Sequence, residues 1–218
     1  MEKETKIIYY GHSMFLIQSE NGIKLGTDPY DSHIKTNLPE VFANIVTISH
    51  SHFDHNNANL FKGNPEIIKE VGEFNISGIP IKGYLSYHDN KKGSLRGENI
   101  IFSFVIDNIK FAHFGDFGSI EDESAFNELK NTDIVFIPVG GIYTINYKEA
   151  LNLIKDLNPK IAIPMHFKEK DTHLDIDNIN SFKNSAKNIY NVREYNISFS
   201  INKENLPKTT EVWIMYSS

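Results

Sequence analysis

The sequence contains no cysteine. Disulfides are therefore excluded, and so is every metal site built on thiolate; a metal bound by this chain is held through nitrogen and oxygen. Long apolar runs are lacking too, since none approaches the ~18–20 residues that would cross a bilayer as a helix. The opening Met1-Glu2-Lys3-Glu4-Thr5-Lys6 is charged and has no apolar segment of the signal-peptide kind. Cations are not in excess: 22 Lys and Arg face 28 Asp and Glu, a net charge of −6 spread along the chain. That balance argues against a nucleic-acid binder, which needs a basic face. It leaves an anionic substrate open, because a bound metal adds positive charge that formal counting misses. Repeats, linkers and low-complexity stretches are also wanting. The 218 residues are thus expected to form a single domain, 1–218, in the cytoplasm and away from membranes, with an oligomeric state that sequence does not reveal.

With 40% hydrophobic and 23% charged residues the chain reads as an ordinary globular protein with a substantial core. Short β-type runs open it at 7–10, 14–17 and 23–25, and Asn21-Gly22 is a hairpin signal, because both residues tolerate positive φ. The apolar run 44–49 has the character of a buried strand. A short helix is predicted over 65–70, then strands at 79–85, 100–106 and 110–112. Helices are predicted over 121–130, 147–157 and 174–187, separated by strands at 133–138 and 160–164, with strands 197–201 and 211–216 at the end. Mixed α/β layers follow, either two sheets or one large mixed sheet.

The strongest signal is Ser49-His50-Ser51-His52-Phe53-Asp54-His55, where three imidazoles and a carboxylate follow an apolar strand directly. A loop leaving a buried strand end aims several side chains at one point from a rigid base. His50 and His52 share a direction if strand alternation persists, while Asp54 and His55 fall in the following turn and reach a second ion. A polar loop with chance histidines is the bland alternative, but such clustering of ligand-type residues is rare. The set is too crowded for one tetrahedral ion that also keeps an open position, so two adjacent ions are expected. Imidazole and carboxylate suit zinc, with manganese or iron also compatible. Further donors stand after other apolar runs: Tyr87-His88-Asp89, His113-Phe114-Gly115-Asp116 and Pro164-Met165-His166. Strand-end placement is what a site on one rim of a sheet requires.

With these residues the sequence resembles the metallo-β-lactamase superfamily, and within it zinc-dependent hydrolases of the ascorbate-6-phosphate lactonase-like kind. The resemblance runs through Gly11-His12-Ser13, Asp28-Pro29, His50-x-His52-x-Asp54-His55, Tyr87-His88 and Arg96-Gly97-Glu98-Asn99. It continues through Gly115-Asp116, Pro138-Val139-Gly140-Gly141-Ile142-Tyr143-Thr144 and Pro164-Met165-His166-Phe167. It implies a four-layer αββα sandwich of two mixed β-sheets flanked by helices, with the metals at one edge. It also implies His50, His52 and His88 at a first ion, Asp54, His55 and His166 at a second, and Asp116 bridging both. A hydroxide between the ions would be the nucleophile, and Asp54 would hold or receive its proton. Flavodiiron relatives carry Glu at the position of His52 and add a flavin domain; His here, without that domain, disfavours redox chemistry. Cysteine-ligated β-lactamases are excluded, and the chain is short for the substrate arm of the tRNA-processing nucleases.

Other candidates are weaker. His12 is expected beside the metal edge or as an idle turn residue, and Asp28 is expected to orient a ligand histidine or merely to start an Asx-Pro turn. His113 competes with His88 as third donor to the first ion; a separate strand end brings His88 from a new direction, and His113 then falls behind the site. Gly140-Gly141 lets backbone approach closely, so Tyr143 is a candidate for stabilising developing charge, or else a packed loop residue. Arg96 and Lys168 are candidate anion contacts against a default of simple solvation, and His33 and His173 receive no role. The leading expectation is a metal-dependent hydrolase of lactonase or phosphodiesterase type acting on an ester, lactone or phosphodiester of a small molecule. A non-catalytic metal-binding or sensing module of the same fold is the second reading, and a nuclease, lacking a basic groove, the third.

Overall fold

The computed structural model describes residues 4–36 and 40–217, so Met1–Lys3 of the charged N-terminus lie outside it. Strands β1 (Thr5–Gly11), β2 (Met14–Gln18), β3 (Lys24–Thr27), β5 (Ile45–Thr47), β7 (Glu66–Ile68) and β15 (Ser198–Ile201) form a six-stranded sheet in the order β15-β1-β2-β3-β5-β7, while β4 (Val41–Phe42) and β6 (Phe61–Lys62) pair as a separate ribbon. The second sheet has eight strands: β8 (Gly72–Ile76), β9 (Ile79–Tyr87), β10 (Glu98–Ile106), β11 (Ile109–His113), β12 (Ile134–Pro138), β13 (Ile161–Met165), β14 (Asn191–Tyr195) and β16 (Glu211–Met215). Their order is β14-β16-β13-β12-β11-β10-β9-β8. Both sheets are mixed, and they pack face to face: Phe15 of β2 meets Phe136 of β12 with ring centroids 4.3 Å apart, and Tyr9 stacks on Phe15 at 4.7 Å. This is the sandwich of two mixed sheets that the resemblance implies, and it decides between the two sheets and the one large sheet that strand patterning left open.

The helices α1 (Glu123–Leu129), α2 (Tyr147–Leu157) and α3 (Asn180–Ala186) all come from the second half of the chain. Helix α2 buries Ala150, Leu153, Ile154 and Leu157, one face at helical spacing. Its start is fixed by a capping box between Asn146 and Glu149, a device worth about 1 kcal/mol, and its end by Asn158 in the left-handed region. On the other side, among the described residues, the six-stranded sheet is covered without an α-helix. Tyr30, Ile34, Val41, Leu60 and Phe61 from loops and the short ribbon pack on Met14, Leu16, Val46 and Ile48 as a second core.

Several elements differ from expectation. Residues 65–70 are not helical: Glu66–Ile68 pairs in parallel with Ile45–Thr47, burying Ile68, so a tertiary partner decides a segment too short to decide for itself. The last helix starts at Asn180 rather than 174; the stretch before it is drawn out by Lys168 N–H to Asp177 O (2.9 Å) and Asp177 N–H to Gly140 O (2.9 Å). Strands β8 and β14 were not anticipated. Ser77-Gly78 between β8 and β9 and Asp107-Asn108 between β10 and β11 both sit at positive φ, which matches the twist of tight two-residue hairpins.

Strand direction then concentrates the chemistry. β9 and β11 are each antiparallel to β10, and β11, β12 and β13 run parallel, so all four end on one rim. In the other sheet β1 and β3 are each antiparallel to β2, and β5 is parallel to β3, so these three also share a rim. His12, Asp28, the 50–55 loop, His88, Asp116 and His166 all follow such strand ends.

Candidate metal centre

Strand β5 stops at Thr47, and residues 48–55 turn away from it. His50 and His52 therefore do not converge by strand alternation, as the sequence led us to expect; the turn itself brings their rings to 4.6 Å. His88, leaving β9, lies 4.9 Å from the His50 ring and 5.1 Å from that of His52. These three form one group of potential metal donors, His12, Asp54, His55 and His166 a second, and His50, His55 and Asp116 a third, with donor atoms in each group within 4.8 Å of one another. Asp116 stands between: Oδ2 faces His88 Nε2 (3.0 Å) and His50 Nε2 (3.8 Å), and Oδ1 faces His55 Nε2 (3.0 Å) and His166 Nε2 (3.3 Å). Asp54 Oδ2 lies 3.2 Å from His12 Nε2, 3.5 Å from His55 Nε2 and 3.9 Å from His166 Nε2.

These groups fit metal. Although His55 Nε2 and Asp116 Oδ1 approach closely, neither has an aligned hydrogen-bond partner, and the same holds for His50 Nε2 and both nitrogens of His166. Orphaned polar atoms are costly in a protein interior, and converging ones make sense as donors to a cation. The site opens into a cavity of about 540 Å3 lined by His52, Asp54, His88, Asp116, Arg96 and Tyr143 among others. Volume does not single it out, for a groove of about 550 Å3 beside Tyr84 and Glu128 has no candidate donor cluster among the described residues; donor chemistry does.

A β-lactamase superfamily domain model matches residues 6–166, which holds every candidate donor. A UPF0173 metal-dependent hydrolase of Nanoarchaeum equitans is 33% identical over 187 residues, covering 74% of this chain and 83% of that one. A second, from Thermoplasma acidophilum, is 29% identical over 192 residues, with 76% and 84% covered. A crystal structure from Thermotoga maritima, of a protein described as a Zn-dependent hydrolase of the metallo-β-lactamase superfamily, superposes with a TM-score of 0.80 at 32% identity, covering 97% of this chain and 98% of that one. The chain belongs to the β-lactamase superfamily. It is a metal-dependent hydrolase of the metallo-β-lactamase type.

In this superfamily member the residues behind the donors hold them in place. Asp28 Oδ2 lies 2.8 Å from His55 Nδ1, and the same carboxylate takes Ser49 N–H (2.8 Å) and Ser49 O–H (2.6 Å). Because the Ser49 hydroxyl proton goes to Asp28, His50 Nδ1 at 2.9 Å must donate to Ser49 Oγ. One carboxylate thus sets two tautomers and leaves both Nε2 atoms as donors. His113 is elsewhere: it is buried with Nε2 2.9 Å from Ser13 O, and it joins no donor group among the described residues, so geometry brings His88 rather than His113 to the first group. Lys168 reaches Asp175 at 3.4 Å and does not line the cavity, whereas Arg96 does.

Two residues without an assigned role in the sequence prove structural to the site. Asn99 Oδ1 accepts from Asp116 N–H (3.0 Å) while its amide donates to Phe114 O and Ser86 Oγ, fixing the Gly-Asp turn. Asp89 accepts from the backbone N–H groups of Lys91, Gly93, Leu95 and Arg96, and despite its burial these four hold its carboxyl down to about 2. The available sequence signal was Asp89 two residues ahead of a polar, glycine-containing loop, an Asx-turn pattern.

Burial pushes His50 down to about 3 and His12 down to about 4, with neighbouring imidazoles adding to it. Burial would also lower His55, but Asp116, Asp54 and Asp28 raise it well above the usual imidazole value. Burial opposes ionisation of Asp116 too, yet His166 and His55 hold it well below the carboxylate range. In metal-stripped protein, His50 and His12 stay neutral when folded and protonate when unfolded below about pH 6.5. The unfolded chain then binds more protons, so stability falls with pH between about 6 and 4, by up to roughly 2.7 kcal/mol per unit for the two groups. His55 acts the opposite way and higher: its contribution is complete below about 6.5 and is lost as pH rises through its elevated value. Urea melts of the stripped protein at pH 7 and pH 5 check this; equal midpoints would contradict it.

Proposed function

We propose that the chain hydrolyses an ester, lactone or phosphodiester bond in a small, anionic molecule, with two divalent ions, zinc foremost, as resident cofactor. His50, His52 and His88 would hold the first ion, Asp54, His55 and His166 the second, and Asp116 would serve both. The observation that carries this reading is Asp116, whose two oxygens face different histidine groups. Two divalent ions held by these residues would supply Lewis acidity and make water a competent nucleophile near neutral pH.

The protein's own groups do the rest. Asp54 is ionised, because burial is outweighed by the nearby His55 and by the hydrogen bond from His12. His12 Nε2 must therefore donate to Oδ2, and Asp54, which lines the cavity, keeps its second oxygen to hold a proton. Tyr143 lines the same cavity and is 38% exposed, so its hydroxyl is placed to donate to charge developing on substrate. His52 is exposed at the cavity, which leaves the donor set open on that side and favours catalysis over a closed, sensing site. Among the described residues no helix is long and apolar enough to cross a membrane, and we place the protein in the cytoplasm with a small-molecule partner rather than nucleic acid.

The test is elemental analysis of purified protein, expected to give two ions per chain, with a turnover screen over esters, lactones and phosphodiesters in zinc or manganese. Silence across all three classes sinks the reading. Tyr143→Phe is expected to keep both ions and lower kcat by about tenfold, the scale of one lost donor bond of ~1.4 kcal/mol; an unchanged rate returns Tyr143 to packing.

A further inference from the structure

Large apolar side chains crowd the mouth of the metal cavity. Phe53 is 49% exposed and Leu95 62%, and both line the cavity together with Tyr143 and half-buried Leu174. Ile142, 55% exposed, precedes Tyr143 on the adjoining loop. Scattered single exposures are ordinary on a protein surface, whereas a contiguous set around a chemical site is a recognition feature.

The backbone enforces this exposure from both sides. Ile142 sits at φ 55°, a left-handed conformation that is strained for a β-branched residue and costs on the order of 1–3 kcal/mol. It is held there by Tyr143 N–H and Thr144 N–H to Gly141 O, and by Arg96 Nη2 donating to Ile142 O at 2.9 Å. Across the opening, Asp89 takes the N–H groups of Leu95 and Arg96 and so fixes the loop that presents both. Arg96 spreads over the Tyr143 ring at 5.8 Å and has no carboxylate partner among the described residues. The mouth therefore offers one unpaired cation set in an apolar collar, directly above the donor groups.

Resting on the hydrolase reading, we propose that the substrate is an amphiphile: an anionic head beside Arg96 and the metal centre, with an alkyl or aryl tail of several carbons against Phe53, Leu95, Ile142 and Leu174. A small, wholly polar substrate such as a sugar phosphate would leave that collar facing water or polar groups. A tail against it gains up to fourfold in affinity per methylene if fully buried, and about twofold on a half-open rim.

The probes are methyl-, butyl- and octylphosphonate, titrated calorimetrically into the metal-loaded full chain. Affinity is expected to rise about 100-fold from methyl to octyl, at twofold per added carbon. Leu95→Ser with Ile142→Asn should cut that rise to below about fivefold while keeping methylphosphonate affinity; asparagine suits the left-handed position, so the loop survives. Arg96→Gln should weaken all three by a similar factor of about ten. Equal affinities along the series, or a rise that the double variant leaves intact, would overturn the proposal. So would sedimentation of the wild type, but not the double variant, with phosphatidylcholine vesicles, which would assign the collar to a bilayer. Parallel turnover of p-nitrophenyl butyrate and octanoate and of bis(p-nitrophenyl) phosphate separates the two readings. Chain-length-dependent binding without any turnover keeps the amphiphile and sinks hydrolysis; turnover with flat binding does the reverse.

Discussion

Asp116→Ala should leave a protein that retains less than one ion per chain and turns over at least roughly 10^4-fold more slowly, a loss on the order of 5 kcal/mol in transition-state stabilisation. Among the described residues, Asp116 is the only side chain within 4 Å of both histidine groups through separate oxygens, so its removal acts on both proposed ions at once. It also strips the leading positive influence from His55, which is fully buried. Removing one member of a buried charge cluster commonly costs about 3–5 kcal/mol, so the metal-free variant should melt earlier than metal-free wild type. His50→Ala should likewise lose metal. Elemental analysis and kinetics decide the matter: full metal content in both variants would overturn the assignment of donors.

Gly140→Ala is the second large effect, and it contains no chemistry. A Cβ at Gly140 would stand 2.0 Å from His166 O, well inside any tolerated contact. The obstacle is backbone, and it is pinned: His166 is at φ 53°, its N–H bonds His12 O at 2.8 Å, and Gly140 O accepts from Asp177 N–H. Relief must displace His166 or the 139–144 loop. We expect a loss of about 3 kcal/mol, the upper range for overpacking, and hence a fall in Tm of roughly 6–12 °C for a chain of this size. Metal content should drop toward one ion as His166 moves. A wild-type melting curve with two ions retained would refute the argument.

How legible was this in the sequence? Strands that are long or wholly apolar were readable, because their pattern is local: Ile134–Pro138, Ile161–Met165 and the Asn21-Gly22 hairpin stand as expected. The histidine loop was readable because six positions carry four potential donors, three imidazoles and a carboxylate. Glu66–Ile68 was misread because three residues hold no period, and a partner strand fixes their state. β8 and β14 were overlooked although Ser77-Gly78 offered a two-residue turn signal. The donors could be named, and a separate strand end already favoured His88 over His113; what the sequence lacked was the facing of each side chain, which puts His88 beside His50 and His52 and turns His113 to Ser13 O. Ser49, Asp89 and Asn99 were invisible as supporters, since their work consists of hydrogen bonds to residues distant in sequence or to loop backbone.

The candidate donor groups, His12 included, run from His12 to His166, over more than two thirds of the chain. During translation at about 5–20 residues per second, the last of them leaves the ribosome roughly 10–30 s after the first. A nascent chain thus exposes a strong imidazole cluster at 50–55 well before its counterparts exist. Ion capture that binds the finished fold but not its fragments pulls the equilibrium toward completion by mass action. Metal supply during growth should accordingly govern how much soluble protein accumulates, over and above how active that protein is.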